Sequence, residues 1–533
     1  MHSFLIWQLA PAGDQTLVRV VAAILLSLPA WPLVRLFRIP NLWRAFPLPA
    51  FGLLAFVVVY AGAACWAAII LPAGVLAVAA ALVTAGFAFA TWRARPSYGR
   101  AHGLPPGSLS FVATLAAIFD QQYYEKQARE HGPVFKMMQF MRPAVCVVGL
   151  KKGLELITRG DDVIAPAPQP ITDAIPGGFL RYMKPAVHAK YASKFRAVFS
   201  PDLVGGCEPA MRQIIRTQLE RMAADCKHRG AAVSPVAYME RASAFCLGRM
   251  MFGFSDDPDG SLPDFERAWR SLEKFSVARP PGKGLMDALE KMRALLVRQV
   301  RKLEEGHTLP FCMLTECARA GVDLSDRTFL DNLVIIFRIP SANISGLLRW
   351  MVKMLADHPQ WAARVCEPTQ NTSANAAEHI VLETLRLQQS EYIYRNVVGP
   401  LEFEGYRIPP GWRLRVCVHE SHRDPDVFRD PDAFRPERFA ERNFSSAEFS
   451  PFGWGRHECL GAEVTLAIGR IFVEELCRGF EWQLTADGPH ERGARHFMHW
   501  QPSSKLRLML SARMAKPASA AAAIRDSKSR LRG

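Results

Sequence analysis

The stretch Phe452-Gly453-Trp454-Gly455-Arg456-His457-Glu458-Cys459-Leu460-Gly461 puts one cysteine on a glycine-rich turn, directly before an apolar run from Ala462 to Phe480. Phe452, Gly455, His457, Cys459 and Gly461 together fit the pattern F-x-x-G-x-(R/H)-x-C-x-G. A thiolate that binds a metal is stabilised at a helix N-terminus, where backbone N–H groups point at its charge. Glycines let the backbone pass close under a flat macrocycle and take up positive φ. The ring of Phe452 can close one side of the sulfur pocket. His457, two residues before the cysteine, can reach a carboxylate on the macrocycle's edge. A lone cysteine usually packs as an inert small hydrophobe. Five matched positions in ten residues read instead as an iron ligand, Cys459, in a thiolate-ligated haem site. That ligation pushes electron density toward O–O cleavage.

Upstream, Glu383-Thr384-Leu385-Arg386 is an E-x-x-R motif whose spacing puts both side chains on one helix face. A buried carboxylate and guanidinium pair bidentately and need a third partner for the remaining lone pairs. Pro436-Glu437-Arg438-Phe439 lies further downstream. E-x-x-R alone is a weak signal. It gains force from the order of the segments downstream of it. These are Gly405 to Gly411, a turn between two strands set by Pro409-Pro410-Gly411, then His422-Arg423-Asp424-Pro425, then the Pro436 to Phe439 segment, then the cysteine loop. On these motifs the chain resembles the cytochrome P-450 family over roughly Pro105 to Leu510.

The resemblance implies a mainly α fold with a smaller β region, preceded by an N-terminal transmembrane region, and heme b (iron protoporphyrin IX) as cofactor. It implies that Cys459 is the axial metal ligand, that Phe452, Gly455 and Gly461 shape the haem pocket, and that Glu383, Arg386 and Arg438 lock the fold without doing chemistry. Basic residues that meet the haem propionates are expected at His457, at Arg395 and at His188, on a predicted helix from Lys184 to Phe199. Four residues beyond His188 the family carries an Arg. Here that position is Ala192, so Lys190 or Lys194 is expected to substitute. The segment Gln388 to Arg395 lacks the family's prolines. Glu391 and Tyr392 are its polar candidates for contacting substrate, with Glu391 expected to recognise a basic or hydroxylated group.

Leu333 to Asp357 is a long apolar helix ending at His358-Pro359. In the family its middle crosses the oxygen-binding face and carries small-Gly-x-acid-Thr. Here the Gly, acid and Thr positions are Pro340, Ala342 and Asn343, so the usual proton relay is missing. Pro340 removes one i→i−4 bond. The freed carbonyl, Ser341 or ordered water is then expected to carry protons, and Asn343 stands where the hydroxyl would be. Asn343 is an amide and cannot act as a general acid. Fatty-acid peroxygenases of the family carry an Arg-Pro pair that holds the substrate carboxylate. Arg338-Ile339-Pro340 is similar but offset by one residue, about 100° of helix rotation. The functional expectation is monooxygenation of a lipophilic substrate with dioxygen and external electrons from a ferredoxin or flavoprotein reductase. The alternatives are peroxide-driven oxygenation, rearrangement or dehydration of a pre-oxidised substrate, and a non-catalytic haem sensor.

The rest of the chain frames this core. Half of the 533 residues are hydrophobic, with the excess in the first hundred, and the net charge is +15. No nucleic-acid motif accompanies that charge. Basic residues beside apolar runs favour anionic lipid, and part of the charge suits an acidic electron donor. The eleven cysteines are scattered and show no CxxC spacing, which argues against a zinc site or disulfide framework and fits a reducing compartment. An apolar stretch from Val20 to Val34 and an almost charge-free run from Leu48 to Trp92, flanked by arginines on both sides, predict a multi-pass anchor of two to three hydrophobic segments over 1–100. The catalytic domain, 101–511, is expected on the cytoplasmic side of a bacterial inner membrane, and the basic tail 512–533 is expected to be disordered. Val134 to Leu150 reads as a hairpin with Arg142-Pro143 at its turn. Phe480 to Trp482 and Lys505 to Leu510 read as a closing pair of strands.

Overall fold

Prolines and side-chain caps punctuate the helical part of the chain. The computed structural model describes most of residues 103–513, leaving out 110–112, 140–141, 168–173, 255–260, 276–281, 368–369, 390–392 and 494–495 among others; before residue 103 it describes only positions 21, 23, 75 and 78–85. In chain order the helices are α1 (Tyr123–His131), α2 (Leu150–Arg159), α3 (Pro185–Val198), α4 (Pro201–Arg229), α5 (Val236–Phe252), α6 (Ser261–Glu273), α7 (Lys283–Glu304), α8 (Met313–Arg319), α9 (Arg327–Asp357), α10 (Pro359–Val365), α11 (Gln370–Thr384) and α12 (Ala462–Gly479), with single turns left unlabelled. Proline stands in the first turn of α3, α4 and α10, where its missing N–H costs nothing. Ser200 caps α4, its hydroxyl accepting from the Leu203 N–H at 3.2 Å. α4 ends at Gly230, left-handed at φ 59°.

The central helix α9 begins at Arg327, ahead of the Leu333 start read from hydrophobicity. Asp326 sets that start: its carboxylate accepts from the N–H groups of Thr328 and Phe329 at 2.9 and 3.2 Å. The helix runs through Pro340 without a break. Its Phe329, Leu333, Phe337, Leu348 and Trp350 side chains are wholly buried in one large apolar cluster shared with α4, α5, α7, α11 and α12. A helix with this many buried apolar side chains belongs at the centre of such a core.

A six-stranded sheet lies to one side, in the order β1 (Gly107–Ser108), β2 (Val134–Gln139), β3 (Arg142–Val147), β8 (Arg413–Val416), β5 (Ile393–Val397), β4 (Ile164–Pro166). The β2–β3 hairpin forms as expected, but Arg142 and Pro143 are not its turn. They pair opposite Gln139 and Met138 at the start of β3, where a proline without an N–H is tolerated. β6 (Leu401–Phe403) and β7 (Tyr406–Ile408) form a hairpin closed by Glu404 and Gly405, both at positive φ. The Pro409-Pro410-Gly411 turn then leads into β8, with Gly411 at φ 84°. β9 (Phe480–Ala486) pairs antiparallel with β12 (Arg507–Ala512), and β10 (Glu491–Gly493) with β11 (His496–Gln501). The mainly α class with a smaller β region is therefore observed. The expected membrane segments and the tail from 514 lie outside the described residues, apart from the few N-terminal positions named above. Among the described residues no helix is long and apolar enough to cross a membrane.

Candidate functional site

The cysteine loop is held by backbone geometry that its glycines permit. Gly453 and Gly455 sit at φ 80° and 61°, conformations that a Cβ would strain. Gly455–His457 forms a 3₁₀ turn, and the Cys459 N–H returns to the Phe452 carbonyl at 3.0 Å. Trp454 Nε1 donates to the Ser446 carbonyl at 2.8 Å, tying the loop to the segment before it. Gly461 is the N-cap of α12 and has no capping side chain, so the positive end of the helix faces the sulfur's neighbourhood. A Cβ on Gly461 would come within 3.9 Å of Cys459 Sγ.

Among the described residues Cys459 is the one exposed thiol; Cys366 is half-buried and the other eight are buried. Burial pushes the Cys207 thiol up to about 11 and the Cys317 thiol to about 12, and raises Cys246 and Cys477 as well. Those thiols stay protonated and inert. Cys459 alone is presented to a cavity of about 300 Å³.

That cavity is walled by the cysteine loop, α3, α5, α9, the first turn of α12, the 179–182 stretch and β5. From α9 come Ile336, Ile339, Pro340, Asn343, Ile344 and Leu347, and from α5 Leu247 and Met251. Proline has no N–H, so the Ile336 carbonyl lacks its helical donor at this wall. From α3 come His188, Ala192 and Arg196, spaced at one helical turn. His188 is buried, and its ring lies 4.9 Å from that of His457, centroid to centroid. Ile393 and Arg395 share one face of β5, two residues apart, and both line the cavity. His188, His457 and Arg395 are thus brought together with Phe452, Gly455, Cys459 and Gly461 in one place.

Other expected residues lie elsewhere. Lys190 is exposed beside the Tyr191 ring and Lys194 lies 3.9 Å from Asp326; neither lines the cavity, because α3 turns them away from the His188 face. Arg338 is buried on the far side of α9, pairing with Glu273 at 3.2 Å and donating to the Phe275 carbonyl at 3.1 Å. Ser341 donates to the same Glu273 carboxylate at 3.0 Å. Both hold the end of α6 to α9 and are directed out of the cavity, while Asn343 lines it. Glu391 and Tyr392 lie outside the described residues. Two cations in the wall escaped the sequence reading, Arg181 and Arg196. Arg196 was legible in principle, two turns beyond His188 on the same helix. Arg181 carries no local signal.

Behind the loop sits the buried triad. Arg386 meets Glu383 with two bonds of 2.8 Å, and Arg438 Nε lies 3.1 Å from both Glu383 oxygens. Glu383 and Arg386 are fully buried at the point where α11 passes into a π turn, Leu385–Gln389. Arg386 also donates to the carbonyls of His422, Pro431 and Ala433, at 2.8, 2.7 and 3.2 Å. His422 links this network to the loop: its Nε2 accepts the Ser450 N–H at 3.0 Å, and Ser450 Oγ donates to the Gly453 carbonyl at 2.9 Å. Burial, with the Arg386 charge nearby, lowers the His422 imidazole from its usual 6.5 to about 3, so it stays neutral and accepting. The unfolded chain takes up this proton first as pH falls. His422's contribution to stability is therefore complete above about pH 6.5 and is lost toward pH 3, by about 1.4 kcal/mol per pH unit. Urea unfolding between pH 7 and pH 4 checks this, with His422→Gln expected to show a shallower loss than the unmodified protein.

The comparisons with known proteins agree with this geometry. The family model described as cytochrome P450 matches residues 321–508. Abscisic acid 8'-hydroxylase 3 of Oryza sativa is 24% identical over 419 residues, which cover 72% of this chain and 82% of the relative. Abscisic acid 8'-hydroxylase 1 of Arabidopsis thaliana is 21% identical, covering 72% and 86%. Among solved structures, the retinoic acid-bound cyanobacterial CYP120A1 superposes with a TM-score of 0.61 at 20% identity, over 75% of this chain and 96% of that one. The cytochrome P450 OleT F79A complex with arachidonic acid gives 0.58 at 17% identity, over 74% and 94%.

Proposed function

We infer that this chain, which belongs to the cytochrome P450 family, is a membrane-attached monooxygenase that inserts one oxygen atom into an apolar substrate. The observation that carries the reading is Cys459, the one exposed thiol among the described residues, at the N-terminus of α12 and opening on an apolar cavity. The family's cofactor is haem b, and the residues present fit it: a single thiol, glycines beneath the plane and cations at the rim.

When bound, the haem supplies activation of dioxygen and transfer of one oxygen atom to substrate. Cys459 Sγ would hold the iron, and Arg395, His188 and His457 would hold the propionates. Ile336, Ile339, Ile344 and Leu347 of α9, with Leu247 and Met251 of α5, exclude water and orient an apolar body. At the α9 wall the Asn343 amide and the Ile336 carbonyl are the polar groups that would orient a water toward the reacting centre. The family implies an electron donor, and we assign that role to a separate ferredoxin or flavoprotein reductase. The named relatives act on abscisic acid, and two of the solved structures hold retinoic or arachidonic acid. Each of these has a largely apolar body, which is the substrate property we carry over. The apolar runs of 1–100 and their flanking arginines support a multi-pass anchor, with the catalytic part following from 101; the boundary expected at 512 falls inside the fold, because Ala512 of β12 pairs with Phe480 of β9. Retention of the full chain in alkali-washed membranes tests that attachment.

The first experiment is the carbon-monoxide difference spectrum of the reduced, detergent-purified protein. A Soret band at the long-wavelength position of thiolate-ligated haem is expected; a band at the shorter position of other ligation overturns the assignment of Cys459.

A second reading, peroxide in place of dioxygen and reductase, has one observation in its favour. Among the described residues, those that α9 contributes to the wall carry no ionisable group. Asn343→Thr separates the two. If dioxygen is the oxidant, the hydroxyl raises product formed per electron consumed. A peroxide-driven enzyme turns over with hydrogen peroxide alone and gains nothing from the change.

A further inference from the structure

The cavity wall carries two arginines, Arg181 and Arg196, that the assignment of Arg395, His188 and His457 to the propionates does not use. Arg181, Arg196 and Arg395 all line it, with His188 and His457, and Glu458 is the only acidic lining residue described. The arginines divide by position. Arg196 also lines a small opening beside Gly455, Glu458 and Cys459, on the cysteine-loop side. Arg395 lies on β5 at the rim. Arg181 comes from a 3₁₀ turn, Leu180–Tyr182, that is pinned to the first turns of α9.

That pinning is tight. Asn332 of α9, wholly buried, accepts the Leu180 N–H at 2.7 Å and donates to the Gly178 carbonyl at 3.0 Å. Gly177 presses so close to Thr328 that a Cβ there would lie 2.1 Å from its hydroxyl. Thr328, Asn332, Ile336 and Ile339 follow one another along one face of α9. Arg181 thus reaches the cavity from a turn seated on the first turns of α9, the helix that gives Ile336 and Ile339 to the same wall. It is half-buried, and among the described residues no acidic side chain pairs with it. A guanidinium in such surroundings has lost much of its water and gains strongly from an anion.

We propose that Arg181 is a substrate-anchoring residue and that the substrate class is an amphipathic carboxylic acid. Its carboxylate is held by Arg181, and its apolar body lies along Ile336, Ile339 and the α5 side chains. This rests on the haem-thiolate reading of the same cavity. It also assigns a polarity to the site: oxidation falls on the apolar end, remote from the acid, because the acid is fixed at the wall set by the first turns of α9.

The test uses the full-length, haem-loaded protein, with dodecanoic acid and its methyl ester as probes and the spectral change on binding as readout. The unmodified protein binds the acid more tightly than the ester. Arg181→Ala weakens the acid by about tenfold to a hundredfold, the range of a charged hydrogen bond, and leaves the ester unchanged. Arg181→Lys retains part of the preference. Haem content per chain and the reduced carbon-monoxide band are the same in all three proteins. An acid that binds no better than its ester overturns the proposal, as does an equal loss for both probes. Loss of haem from Arg181→Ala also overturns it, because the arginine then serves a propionate. Absence of the long-wavelength band in the unmodified protein instead strikes at the haem-thiolate reading, and is seen before any probe is added.

Discussion

Cys459→Ala is expected to abolish the long-wavelength band of the reduced carbon-monoxide complex and to bring turnover to background. Among the described residues no second thiol can take over the ligand's role. The eight buried cysteines are locked in the core, and Cys366 contacts the Cys477 carbonyl, away from the cavity. Cys459→Ser tests the chemistry more closely. A hydroxyl is a harder, far weaker acid than a thiol and does not supply the soft anionic ligand that the iron requires. The fold should survive both changes, since Cys459 contributes an exposed side chain and its N–H bond to Phe452 is made by backbone. Unchanged urea midpoints of the haem-free proteins, beside the lost band, would place the effect at the iron. A variant that keeps the band would overturn the ligand assignment outright.

Arg386→Ala has the opposite signature. It removes two bonds to Glu383 and the donor to three carbonyls, all at a site with no solvent access. Breaking one partner of a buried ion pair costs about 3–5 kcal/mol, because the other charge is left without its compensation. Typical stabilities are about 5–15 kcal/mol, so this is a large share. The loss is passed to the loop through the His422 carbonyl, which positions the imidazole that holds Ser450. We therefore expect a lower urea midpoint, weak haem retention and little purified holoprotein. Arg386→Lys should rescue only slightly, since an ammonium cannot present the two parallel bonds that Glu383 receives. If Arg386→Ala unfolds at the same urea concentration as the unmodified protein, the triad is not what holds the loop.

Local order was enough to read the cysteine loop and the triad. Their residues fall close together or in a fixed order, and each motif is a backbone constraint written in residue type: glycine for positive φ, E-x-x-R for a shared helix face. The strand pair that closes the fold was likewise legible in its alternation, because period two survives without knowledge of the partner. Where the reading failed, the deciding interaction was distant. Pro143 resembles a turn residue until its pairing with Met138 of β2, and the pairing of the next residue, Ala144, with Arg413 of β8, place it within a strand. Hydrophobicity starts α9 at Leu333, whereas the helix begins at a cap, Asp326, that periodicity does not register.

The sequence by itself singled out the candidate ligand, Cys459, the propionate candidates His188, His457 and Arg395, and the loss of an acid–hydroxyl pair at Ala342 and Asn343. These are properties of residue type and spacing, which the chain carries before it folds. Only the tertiary structure decided which polar residues near Pro340 face the substrate. Helix rotation turns Arg338 and Ser341 onto Glu273 and leaves Asn343 at the cavity. It also brought in Arg181 from a turn 278 residues before Cys459 in the chain. A contact between segments that far apart has no local pattern, because it depends on how Asn332 and Gly177 seat one element against another.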